Sequence, residues 1–319
     1  MLTGESLQFS GSLCFASFPI VSETVSGLKI LERTCRVSRS RVDRPHPPVP
    51  LVELVFPALN SAWAMEVMRG VVDSGLDVVL SSAVGRGASW AADVVRARRA
   101  GVLLVTCPIS VAEERVFARA GVPLVHIDPV DVAAPDLVGV AASDRAGGVT
   151  AVKHLLALGH RRIAVVGGPR DVRCSRARVE GYRVALDRAG IAFDADLVRH
   201  ADFTREGGRR EADALLRRPD RPTAVFAAND EQALGVVEAA RSAGLSVPGD
   251  LSVVGFDDLP AARRAAPALT TVRQPLAAMG RQAGWMLADL IAGRPPVTDR
   301  VELATELVVR DSTAPPARG

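Results

Sequence analysis

From Leu51 onward, short runs of apolar and β-branched residues alternate with stretches whose apolar positions recur at helical spacing. The runs Leu51–Phe56, Asp77–Leu80, Val102–Thr106 and Val122–His126 predict strands, with helices opening near Ala62, Ser89 and Ala112 between them. A second array follows in Arg162–Val166, Ala224–Ala227 and Leu251–Val254. There the helix Glu231–Ala243 is stopped by Gly244, and Val247–Asp250 forms a turn. Strands covered by helices on both faces must be apolar along nearly their whole length, and these are. The pattern therefore predicts an α/β chain of two doubly wound, parallel-sheet lobes. Pro45, Pro47, Pro48 and Pro50 each restrict themselves and the residue before them, which predicts an extended linker and a domain boundary ahead of Leu51.

Composition narrows the class without fixing it. At 319 residues and 48% apolar content the chain is long enough for two cores. Charges and prolines break every apolar run before it reaches the length of a membrane span, so no membrane partner is expected. The mildly apolar start, Met1 to Ile20, has no basic lead-in, and Leu13 stands before Cys14 where lipoprotein processing wants a small residue. Export is not expected, and a cytoplasmic location is. Cys14, Cys35, Cys107 and Cys174 are scattered without CxxC spacing, the usage of a reducing compartment. A net charge of +3 does not itself imply nucleic acid, and the basic stretch Lys29 to Arg44 reads as a solvated linker or as a weak phosphate-attracting segment.

The common catalytic signatures are missing: no phosphate-binding GxxxxGK[ST] loop, no GxSxG elbow, no HExxH helix, and no GxGxxG after a strand. His46, His126, His154, His160 and His200 share no metal-ligand spacing, so neither a metal nor a cofactor is expected. An enzyme is not expected either, although an α/β fold alone would permit one.

The informative segments lie further on. Gly159–Pro169 (GHRRIAVVGGP), Arg178–Leu186 (RVEGYRVAL), Ala227–Gly235 (AANDEQALG), Val247–Asp258 (VPGDLSVVGFDD), Leu269–Pro275 (LTTVRQP) and Glu302–Arg310 (ELATELVVR) resemble, in order and spacing, blocks of the effector domain of LacI/GalR transcription regulators. The resemblance covers about residues 51–315. It implies a periplasmic-binding-protein-like fold of two lobes joined by three crossovers, with ligand held between them. By that resemblance the amino lobe spans residues 50–158 plus 276–302 and the carboxy lobe 159–275 plus 303–314. Residues 1–49 are left as headpiece remnant and linker, and 315–319 as a tail.

The same resemblance makes Arg178 a ligand-gripping residue, its planar fork suited to two adjacent acceptors, the alternative being a pair with Glu180. Asn229 and Asp257 stand at strand ends facing the expected cleft and offer the mixed donors and acceptors a sugar needs. Helix capping by Asn229 and Asp230, and a turn at Asp257–Asp258, are the alternatives. Phe203 and Trp63 align with aromatic positions on which a sugar face stacks, core packing being the alternative. Gln274 falls at a crossover, and Cys174 and Ser175 are weaker ligand candidates.

Family members open with a helix-turn-helix headpiece, a DNA-reading element. Here Thr24–Ser26 and Ile30–Thr34 resemble fragments of it, and the first two dozen residues match nothing. The expected function is thus a ligand-responsive transcription regulator, sugar-sensing and homodimeric, or the effector-binding part of one. Operator DNA is the family's partner, but specific operator binding is not expected of this chain. The rival from another class is a sugar receptor serving a transport system.

Overall fold

The computed structural model describes residues 50–59, 61–130 and 137–317. The headpiece and linker readings before Pro50, and Cys14 and Cys35 with them, lie outside the described residues. In the first lobe, β1 (Leu51–Phe56), β2 (Asp77–Ser82), β3 (Val102–Val105), β4 (Leu124–Ile127) and β5 (Gly139–Ala142) are interleaved with α1 (Ala62–Val72), α2 (Trp90–Arg96) and α3 (Val111–Ala120). In the second, β6 (Ile163–Gly167), β7 (Val198–His200), β8 (Ala224–Ala227), β9 (Ser252–Asp257) and β10 (Thr270–Arg273) accompany α4 (Asp144–Ala157), α5 (Arg173–Arg188), α6 (Arg205–Leu216), α7 (Asp230–Ser242) and α8 (Pro260–Arg264). The chain then returns through α9 (Leu276–Ile291) and β11 (Arg300–Leu303) to β12 (Glu306–Val308).

The sheets have orders β11-β5-β4-β3-β1-β2 and β12-β10-β9-β8-β6-β7, so each lobe repeats one doubly wound topology. All pairings are parallel except β10 with β12. The two-residue period of β1 sends Val52, Leu54 and Phe56 into the core beneath α1 and α9, and Val55 into the core beneath α2 and α3. Glu53, the polar interruption of that strand, is buried and satisfied by Ser81 and by Arg99 Nε at 3.0 Å. The second sheet likewise has a core on each face.

Three segments cross between lobes: β5 into α4, β10 into α9, and β11 into β12. Two of them are tied together, Thr305 N donating to Ser143 Oγ at 3.1 Å. The first crossover lies elsewhere than the family blocks suggested. Helix α4 packs on α5 and on the second sheet, so the lobes divide at Ser143 and not at residue 158. The reason is a glycine-lined helix crossing: a Cβ on Gly148 would stand 2.4 Å from the Arg178 carbonyl oxygen, and one on Gly181 2.3 Å from that of Arg145. Only glycine lets the α4 and α5 backbones approach so closely. Leu259 of the second lobe is buried within the first lobe's core, another link between the two.

Candidate functional site

Parallel strands end where the first turns of the following helices begin, and in an open sheet that edge is where ligands bind. Non-glycine residues with positive φ gather there: Thr106 at 46° after β3, Asp128 at 50° after β4, and Asp257 and Asp258 at 116° and 60° closing β9. Such backbone is costly for a residue with a Cβ and is kept where the surroundings impose it. Here it brings Asp257 to a buried guanidinium and Asp128, from the other lobe, within its electrostatic reach.

Arg178, in the middle of α5, is 3% exposed. Its Nε donates to Asp144 Oδ1 at 2.8 Å and its Nη1 to the Ala228 carbonyl at 2.6 Å. Nη1 also lies 3.8 Å from Asp257 Oδ1, and the guanidinium stacks 3.9 Å from the centre of the Phe256 ring. The alternative pairing with Glu180 is not made; Glu180 faces Arg145 at the surface. Gln274 Nε2 donates to Asp257 Oδ1 at 2.6 Å, fixing the second crossover to the end of β9. Cys174 and Ser175 sit on the same face of α5, one turn before Arg178, both buried.

The carboxylates outnumber the cation they surround. Burial, with Asp144 beside it, pushes Asp128 up to about 7, although Arg178 and Arg173 pull the other way. Burial also holds Asp257 up at about 6 against the pull of Arg178 and the Gln274 hydrogen bond. The guanidinium itself is pushed up: burial works against its charge, but Asp144 and the other acids more than offset it. Asp144, first residue of α4, places its charge at a helix N-terminus, where the helix dipole favours it. Burial and the surrounding acids raise Cys174 far above an ordinary thiol, so it is no nucleophile.

Four buried side-chain atoms of this cluster have no hydrogen-bond partner: Asp128 Oδ1, Asp144 Oδ2, Ser175 Oγ and Gln274 Oε1. Buried polar atoms are rarely left so, because each costs its desolvation energy, and a group of them at a strand-end cleft marks where a polar ligand would sit.

The other expected residues lie beside or apart from this cluster. Asn229 caps α7, its Oδ1 accepting from Gln232 N at 2.8 Å, while its Nδ2 donates to the Phe203 carbonyl at 3.0 Å. The capping role is therefore real, and the same side chain tethers Phe203. The half-buried Phe203 ring packs on Gly168 at the end of β6, where a Cβ would lie 2.2 Å from it. Trp63, in the first turn of α1, is half-buried against the amino-lobe core, as the packing alternative has it. Asp230 is held inside the second lobe by Thr271 Oγ1 at 2.5 Å and Leu259 N at 2.8 Å. Sequence reasoning missed Asp128 and Asp144. Asp128 follows β4 as Asn229 follows β8, a signal that was present. Asp144 is legible only once the first crossover is placed.

A cavity of about 320 Å³ adjoins the cluster, sharing Asp257 and Gln274 with it and bounded by Glu66 and Arg69 of α1 and by Arg263 and Arg273. Among the described residues no group of three or more His, Cys, Asp or Glu is placed to hold a metal ion, and no helix is long and apolar enough to cross a membrane.

Two lobes of repeated topology, three crossovers and a polar cluster built from both define a two-lobe ligand-binding protein of the periplasmic-binding type. The family described as periplasmic binding protein-like domain matches residues 152–313, about half of the chain. A solved complex of the transcriptional regulator CelR with cellobiose is 33% identical, covering 84% of this chain and 86% of that one, with a TM-score of 0.74. The lac repressor dimer bound to operator and the anti-inducer ONPF is 27% identical over 83% of this chain and 94% of that one, TM-score 0.74. The chain belongs to the LacI family of transcription regulators. Among curated relatives, the HTH-type transcriptional regulator DegA of Bacillus subtilis is 42% identical over 176 residues, 55% of this chain and 52% of DegA. The chain spans between about half and just under two thirds of the length of the curated relatives it matches first.

Proposed function

We propose that this chain is the effector-sensing part of a cytoplasmic, sugar-responsive transcription regulator, and that it is not catalytic. The observation that carries the reading is the set of unpartnered buried atoms on Asp128, Asp144, Ser175 and Gln274, contributed by both lobes and by two crossovers around Arg178. A ligand that completes their hydrogen bonds favours the closed arrangement of lobes over an open one by its difference in affinity for the two. Phe203, packed on Gly168 at the end of β6 with Asn229 holding its backbone, offers a ring for an apolar sugar face. CelR in complex with cellobiose supports a saccharide. The lac repressor dimer on its operator supports a homodimer whose DNA affinity follows the ligand state. DNA recognition in this reading lies outside the described residues.

Thermal-shift screening against neutral saccharides that include cellobiose and ribose tests the reading, since a ligand bound only by the folded state raises the melting temperature by mass action. A saturable rise that disappears in Asp257→Ala, confirmed by calorimetry, is the expected result. No rise with any saccharide sinks the sugar assignment.

A further inference from the structure

Resting on the ligand-binding reading just given, we infer that the enclosed cluster selects ligands that present hydrogen-bond donors, neutral or cationic, and turns away anionic ones such as phosphorylated or carboxylated sugars. Two buried carboxylates, Asp144 and Asp257, stand against one buried guanidinium, and the buried Asp128 is close enough to feel both that cation and Asp144. Arg173, half-buried at the start of α5, reaches Asp128 with a weaker pull, and Glu231 adds a further negative charge near Asp257. Within the buried cluster the balance is negative before any ligand enters, and Arg263 and Arg273 of the adjoining cavity are engaged by the buried Asp258.

Two of the three guanidinium nitrogens are also spoken for. A phosphate or carboxylate is held best by two parallel N–H donors of one arginine. Arg178 already gives Nε to Asp144 and Nη1 to the Ala228 carbonyl, and the Phe256 ring covers one face. An anion could take the side-on fork of Nε and Nη2 only by breaking the Asp144 pair, leaving that carboxylate buried and alone, and at Nη1 it would meet Asp257 Oδ1 3.8 Å away.

The unpartnered atoms give the same answer from the other side. Asp128 Oδ1, Asp144 Oδ2 and Gln274 Oε1 are acceptors, and the Ser175 hydroxyl alone can donate. Their complement is a ligand edge rich in O–H or N–H groups. Vicinal hydroxyls satisfy it, and an ammonium placed at Asp128 satisfies it and offsets the surplus charge. A phosphate brings acceptors to acceptors.

The test compares matched sets that differ in one substituent: glucose, glucosamine, glucose 6-phosphate and glucuronate, then galactose and ribose with their amino and phosphate counterparts, and cellobiose with its phosphorylated form. Each is measured by thermal shift and calorimetry on the whole chain at pH 7.5. In any set that responds, the neutral or amino member should bind at least about a hundredfold tighter than the anionic one, the scale of a like-charge juxtaposition in a buried site. Asp128→Asn, which keeps the size and removes the charge, should narrow that gap at least about tenfold. Asp144→Asn provides a second variant for the same comparison. An anionic member binding as tightly as its neutral partner overturns the inference while leaving the ligand-sensing reading in place, as does a gap unchanged in Asp128→Asn and Asp144→Asn. No response in any set overturns both.

Discussion

Replacing Arg178 with alanine removes the cation that Asp144 and Asp257 share, and the structure turns what looks like a binding-site substitution into a folding one. The Arg178 and Asp144 side chains are 4% and 3% exposed, so water cannot take the place of the lost partner. Removing one member of a buried ion pair costs about 3–5 kcal/mol, because the remaining charge is buried without compensation. For a domain of this size each kcal/mol moves the melting temperature by about 2–4 °C, which gives a fall of about 6–20 °C. The cost depends on pH. Asp257 stands at about 6 while the guanidinium still lowers it. Without Arg178 it rises further, and once protonated it no longer needs a counter-charge. Destabilisation should therefore be at least about twofold larger at pH 8 than at pH 5, measured by urea unfolding of wild type and variant at both pH values. Arg178→Lys should fall between them, since one ammonium keeps the charge without the fork that reaches Asp144 and Ala228 together. A cost below about 1 kcal/mol at pH 8, or an equal cost at both pH values, would refute the reasoning.

Asp128→Asn should act in the opposite direction. A carboxyl held near 7 in the folded state but near 4 in the unfolded chain makes the wild type lose stability as pH rises from 4 through 7, and the amide abolishes that loss. The variant should gain on the wild type between pH 5 and pH 8 in urea titrations, and parallel pH profiles would count against a buried, charged Asp128. Gly148→Ala pushes a methyl group against the Arg178 carbonyl and should cost about 1–3 kcal/mol by calorimetric melting, while Gly87→Ala, which meets no atom within 4 Å, should stay within about 0.5 kcal/mol of wild type. Asn229→Ala should cost about 0.5–2 kcal/mol through the lost cap. Asn229→Asp keeps the cap but not the donor to Phe203, so a loss of saccharide affinity in that variant without loss of stability would isolate the tether.

How far the chain declared itself depended on whether a feature was local. The apolar run of β1 and the helix stop at Gly244 are written in neighbouring residues, and the architecture followed from them. Arg178, Asp257 and Gln274 were legible because they stand in recognisable blocks, yet their mutual contact, the Asp144 pairing and the loss of two guanidinium nitrogens to protein acceptors join separate segments, Arg178 reaching Asp144 34 residues before it and Ala228 50 residues after it. Helix α4 shows why the lobe boundary was misplaced: Gly147, Gly148, Ala151, Val152 and Leu155 make an inward face that would suit either sheet, and only the close α5 crossing decides. The strands β5, β7, β10, β11 and β12 were not marked by the apolar pattern; of these, β7, β11 and β12 lie at sheet edges and mix charged with apolar residues over three or four positions. Asp128 was marked by its place directly after β4, whereas Asp144 shows its importance only in its pairing across the α4–α5 crossing, which no spacing rule encodes.

If the cluster spanning the two lobes is the effector site, a crystal structure of the chain with whichever saccharide raises its melting temperature will show that cluster occupied. Ligand hydroxyls should stand within hydrogen-bond distance, about 2.6–3.2 Å, of Asp128, Asp144 or Gln274, with the sugar face against Phe203. A ligand seated instead in the neighbouring cavity between Arg69 and Arg263, with Asp128 Oδ1 and Asp144 Oδ2 still unpartnered, would contradict it.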